Sequence, residues 1–135
     1  MSNLHLAHTR VATHLAENLD VRTAVGEPQQ HWGLPYCFVW GPLPNPAAAP
    51  MVTVDESLMV QVVAASVPAV NALASDVCAA LEDFVPSIPG WECHPVRVTH
   101  TTSATTLEAR STEPLTNLRP AWLTVTFRFR ARRTQ

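Results

Sequence analysis

Apolar residues recur at helical spacing over residues 3–20, where Leu4, Val11, Leu15 and Leu19 line up with Ala7, Ala12 and Ala16 beside them. Arg10, Glu17 and Asn18 fall on the opposite side, so the pattern predicts an amphipathic helix. Ser2 or Asn3 is placed to cap it, and the following stretch with Gly26 and Pro28 ends it. Residues 36–40, Tyr-Cys-Phe-Val-Trp, form a short aromatic and β-branched run between Pro35 and Gly41-Pro42, the composition of a buried strand. Prolines at 42, 44, 46 and 50 then exclude a helix or a central strand, and an extended loop is expected over residues 41–56.

Alternation resumes at residues 58–66, with Leu58, Val60, Val62 and Ala64 on one side and Met59, Gln61, Val63 and Ala65 on the other. Both sides are mostly apolar, which predicts a central strand. From Pro68 the period changes: Val70, Leu73, Ala74, Val77, Leu81 and Phe84 follow a helical stripe, with Ser66 as the cap and Pro86 as the stop. Val96, Val98 and His100 alternate against Arg97, Thr99 and Thr101, and residues 105–110 are a candidate partner strand. Residues 121–130 alternate most cleanly, with Ala121, Leu123, Val125, Phe127 and Phe129 inward and Trp122, Thr124, Thr126, Arg128 and Arg130 outward.

The order α-β-β-α-β-(β)-β lacks one crossover helix per strand. It predicts a single α+β domain over residues 1–135, with two helices on one face of a four- to five-stranded, largely antiparallel sheet.

A chain of 135 residues, 47% hydrophobic and 15% charged, is long enough for a core without disulfides or metal. Its net charge of -2 excludes a strongly basic nucleic-acid binder. All nine basic residues are Arg and Ile occurs once, a pattern of GC-rich codon usage, so each Arg is not to be read as chosen for its site. Three cysteines, Cys37, Cys78 and Cys93, form no metal-ligand spacing and suit a reducing compartment. Residues 1–10 carry His5, His8 and Arg10 and lack the apolar core of a secretory signal. The uncharged stretch 57–75 contains Gln61, Pro68 and Asn71 and changes period midway, so it reads as a strand and a helix and not as a membrane span.

Candidate chemistry is sparse. The four glycines form no phosphate-binding loop, and no GxSxG or nucleophilic cysteine context occurs, so no catalysis is expected. His5, His8 and His14 share the first helix, but their neighbours are Leu, Ala and Thr, so no metal site is expected either. The strongest charge feature is Arg128, Arg130, Arg132 and Arg133, for which a solvated strand end, a protein contact and a nucleic-acid contact all stay open. Trp122 on the same outward side has the composition of an interface anchor.

Several stretches together resemble the tail terminators, or tail completion proteins, of long-tailed bacteriophages, of the kind found in phages of actinobacteria. The resemblance rests on the opening helix, the Pro-Tyr-Cys-Phe-Val-Trp run at 35–40, and the proline-rich loop. It extends to the Met-Val-Gln-Val-Val-Ala-Ala run at 59–65 leading into the 68–84 helix, and to the Leu-Thr-Val-Thr-Phe-Arg-Phe-Arg run at 123–130. It implies a structural virion protein without a cofactor, assembled in the host cytoplasm into a hexameric ring on the head-proximal end of the tail tube. The partners implied are further copies of the chain, the major tail tube protein, the head-completion or stopper protein and the tape measure protein. Genomic DNA would only pass through the lumen, and no membrane is involved. The resemblance maps no individual residue, so contact positions follow from location and chemistry: Leu43, Asn45, Met51, Asp55 and Glu56 of the loop, and Trp122, Arg128 and Arg130 of the outward face. A head-tail connector neck protein is the nearest alternative, and a small metal- or ligand-binding α+β domain a more distant one.

Overall fold

The computed structural model describes residues 4–27, 32–42, 53–106 and 120–134. The first helix, α1 (Leu6–Leu19), buries Ala7, His8, Val11, Ala12 and Leu15 and ends where Asp20 takes a left-handed conformation, φ 51°. Its expected caps, Ser2 and Asn3, lie outside the described residues, and His5 at the N-cap makes no side-chain cap bond. The second helix, α2 (Val67–Leu81), starts as expected, with the Ser66 hydroxyl accepting from the Ala69 N–H at 3.2 Å. It stops three residues before Phe84, because Glu82 turns extended and Asp83 adopts φ 67°. The apolar stripe nevertheless runs on, since Phe84 still packs against the core.

Among the described residues the sheet has the strands β1 (Arg22–Val25), β2 (Tyr36–Trp40), β3 (Thr53–Ala64), β4 (Trp91–Cys93), β5 (Arg97–Thr101), β6 (Thr105–Thr106) and β7 (Ala121–Arg133). The path is β1-β2-β3-β7-β4, with β5 and β6 also paired to β7. All pairings are antiparallel except β1 with β2. The β1 pairing is an addition to the expected layout, in which Arg22–Val25 belongs to the stretch that ends the first helix.

The β4, β5 and β6 strands are one edge column in three pieces. Trp91 stands opposite Arg133, Arg97 opposite Arg128, His100 opposite Thr126 and Thr105 opposite Trp122. The register therefore slips by one residue at each of three places, the mark of β-bulges. Counted as columns the sheet is five strands wide, and the class is the expected single α+β domain. Of the expected partner strand 105–110, residues 107–110 lie outside the described residues, and Thr105 and Thr106 pair with β7 and not with β5, end to end with it along the same edge.

β3 begins at Thr53, so Asp55 and Glu56 are strand residues paired across from Arg130 and Phe129, not loop residues. The alternation that sets this strand starts with Val54, which is buried, and the acidic pair obscured it in the sequence. Leu43, Asn45 and Met51 lie outside the described residues.

Both helices pack on one face of the sheet, α1 against β1 and β2, and α2 against β3, β7 and β5. The core lies between the layers and includes Leu15, Val39, Leu58, Val60, Val62, Val77, Leu81, Phe127 and Phe129. Each fully buried side chain of this size contributes about 1.5–3 kcal/mol relative to exposure. Gly41 ends β2 at φ 135°, and a Cβ there would sit 3.1 Å from Leu58 Cδ2 and 3.2 Å from Leu58 Cα. Only glycine lets β2 pass β3 this closely.

Candidate functional site

The face of the sheet turned away from the helices is where the outward residues gather. The register sets them in rows: Tyr36, Val63 and Trp122 in the first, Phe38, Gln61 and Thr124 in the second, Trp40, Met59 and Thr126 in the third. Beyond these come Ser57 with Arg128 and Asp55 with Arg130. The β2 column is thus wholly aromatic, the β7 column passes from Trp through Thr to Arg, and the Thr124 hydroxyl donates to Gln61 Oε1 at 2.9 Å between them. Among the described residues four large apolar side chains are exposed, and three flank the β1-β2 side: Val25 (49%), Leu34 (41%) and Trp40 (41%).

Trp122 and the arginines do not form the joint patch that their shared side of the strand suggests. Trp122 is half-buried beside Val63, and Arg128 lies about 20 Å further along β7. The arginines themselves have separate fates. Arg128 grips Asp55 with two donors, Nε at 2.6 Å from Oδ1 and Nη2 on Oδ2. That hydrogen bond, with the charge of Arg128 and then of Arg130, holds the Asp55 carboxyl below its ordinary range, while Asp55 raises the Arg128 guanidinium. Arg132 pairs with Glu92 at 3.1 Å, and Arg133 lies 5.4 Å above the ring of Trp91. Arg130 is exposed and faces Asp55 across the ladder, but that carboxylate is already taken by Arg128. Two guanidinium groups share one carboxylate, and the excess charge sits on Arg130. Glu56 projects to the other side of β3, half-buried opposite Phe129, apart from this cluster.

The chain matches no known family model, and no curated protein matches it.

The histidines of α1 serve packing. His8 is 4% exposed and its Nε2–H donates to the Gly41 carbonyl at 3.3 Å, whereas Nδ1 has no partner among the described residues. Burial lowers its pKa, partly offset by the Gly41 bond. His14 donates from Nε2 to the Ala80 carbonyl at 2.7 Å and joins the two helices, while His5 is exposed. Among the described residues no three His, Cys, Asp or Glu side chains come together as a cation would require. No helix among them is long and apolar enough to cross a membrane.

Two hollows meet at the Leu34-Pro35 corner, at the end of the sheet opposite Arg130. One, of about 350 Å³, is bordered by Asp20, Val21, Arg22 and Gly33. The other, of about 230 Å³, runs between that corner and α2, lined by Ala64, Ala65, Ala69 and Leu73, with the carboxylate of Asp76 at its rim. Sequence reasoning passed over this groove. Its walls join Ala64 and Ala65 at the end of β3 to Ala69 and Leu73 of α2, and the small, exposed Ala65 and Ala69 carry no signal of a groove in the sequence.

Proposed function

We propose that this chain is a structural assembly protein of the tail-terminator kind, which forms a ring on the head-proximal end of a phage tail tube and ends tube polymerisation. One observation supports the reading most. The helices cover a single face of the sheet, and the opposite face carries an aromatic column along β2, Tyr36, Phe38 and the exposed Trp40. Exposed apolar clusters of this kind mark contact surfaces. In this reading the chain performs no chemical step and needs no cofactor. It joins further copies of itself, the tube protein on one side and the head-completion or stopper protein on the other, within the virion tail.

Light scattering over a range of protein concentration, with and without the tube protein of the same virus, tests the proposal. A ring mass, or a monomer that assembles on tube ends, supports it. A strict monomer indifferent to the tube overturns it, and a ring that binds only head-connector proteins makes it a neck protein instead.

A further inference from the structure

We infer that the groove at the Leu34-Pro35 corner receives Arg130 of a neighbouring copy of the chain, and that this head-to-tail contact is what builds the ring; the inference rests on the ring reading above. The groove offers two things at once. Its walls, Pro35, Ala65, Ala69 and Leu73, are apolar and small, a channel suited to an aliphatic stem. At its rim stands Asp76, exposed and without a hydrogen bond or ion pair among the described residues. A long side chain with a cationic, forked head satisfies both parts, since a guanidinium meets a carboxylate with two parallel hydrogen bonds.

The complementary group is on the same chain. Of the four arginines near the end of β7, Arg128 and Arg132 have carboxylate partners and Arg133 lies over Trp91, while Arg130 has no ion pair among the described residues and faces an Asp55 that Arg128 already holds. The two features sit at opposite ends of the β3-β7 ladder: Ala64, in the groove wall, pairs with Ala121, and Arg130 lies about 30 Å further along β7. They cannot meet within one molecule. A contact between unlike surfaces on two copies is heterologous, and heterologous contacts close into rings when the rotation per copy divides a full turn. The same pair exchanged reciprocally across a two-fold axis would give a dimer, so a dimeric mass overturns the head-to-tail contact and a ring mass supports it.

Charge reversal tests the contact. Asp76→Arg and Arg130→Asp each set like charges against each other at every junction, and self-association should weaken on the order of a hundredfold in either variant. The double variant restores an opposite pair with its signs exchanged. An equimolar mixture of the two single variants does the same at alternating junctions, and both should recover the wild-type ring mass. Asp76 is exposed, so Asp76→Arg should keep the wild-type denaturation midpoint, whereas Arg130→Asp sets a carboxylate opposite Asp55 and lowers it, so assembly is compared well below that lower midpoint. If the single variants assemble like the wild type, the groove contact is wrong while the ring reading stands, and a basic segment of another virion protein becomes the occupant to test. A wild-type chain that never assembles overturns both.

Discussion

The imidazole of His14 lies flat on the ring of Phe84, with centroids 3.8 Å apart and planes 11° from parallel. The same ring donates to the Ala80 carbonyl at 2.7 Å and accepts from the Asn18 amide at 3.2 Å, so a residue of α1 is bonded and stacked onto the end of α2. His14→Ala should lower the unfolding free energy by about 1–3 kcal/mol, the sum of a stack and a hydrogen bond. His14→Phe keeps the stack and should recover part of the loss. Denaturant unfolding of the three proteins measures it, and equal stability of wild type and His14→Ala would refute the latch.

His8 gives a second, pH-dependent expectation. Its pKa is lowered in the folded chain, so below about pH 6.5 the unfolded chain binds the proton more readily. Stability is full above that pH, falls as the pH drops through it, and levels off below the depressed folded value. Denaturation midpoints taken from about pH 7.5 to about pH 5 should decline, and His8→Leu should flatten the decline. Asp55 and Glu82, whose pKa values are also lowered, lose their contributions only at more acid pH, outside that window.

Gly41 and Gly26 both have positive φ but differ in surroundings. An added Cβ at Gly41 would press on the Leu58 backbone, while at Gly26 it meets nothing within 4 Å. Gly41→Ala should cost about 1–3 kcal/mol from strain and crowding, and Gly26→Ala about 1 kcal/mol from backbone conformation alone. Thermal unfolding distinguishes them; the reverse order would show that β2 has room to move.

The three thiols should separate cleanly under alkylation. Cys37 is fully buried and its pKa is pushed up to about 12, and burial also raises that of Cys93. Cys78, half-buried with its sulfur 3.8 Å from the Thr101 hydroxyl, is the one expected to react first at neutral pH. Mass spectrometry after timed labelling should find Cys37 unmodified until the chain is unfolded. Early labelling of Cys37 would contradict the packing of β2.

Much of this architecture is legible in the alternation of residues, because burial acts on every second position of a strand and on one side of a helix. Both helices, β2, β7 and most of β3 follow from that rule. What it missed has local causes. Residues 22–25 do not alternate, with Thr23 and Ala24 half-buried between exposed Arg22 and Val25 at a sheet margin, so nothing in Arg-Thr-Ala-Val marks them as a strand. Asp55 and Glu56 hid Thr53–Ser57 at the start of β3, since an acidic pair reads as loop until the arginines across the ladder are placed beside it. The groove escaped for the opposite reason: Ala65 just past β3 and Ala69 on the exposed side of α2 carry no signal until the Leu34-Pro35 corner stands against them.

β7 is the last of the described elements along the chain, yet it lies between β3 and the β4, β5 and β6 pieces and joins them. On the ribosome, everything before it emerges with both of those margins unpaired. The sheet therefore cannot close while the chain is growing, and its folding waits on contacts between residues far apart in sequence, which form slowly. Nascent chains held short of residue 121 should expose β3 to chaperones and to one another, and a cell making this protein in quantity must carry it through that interval.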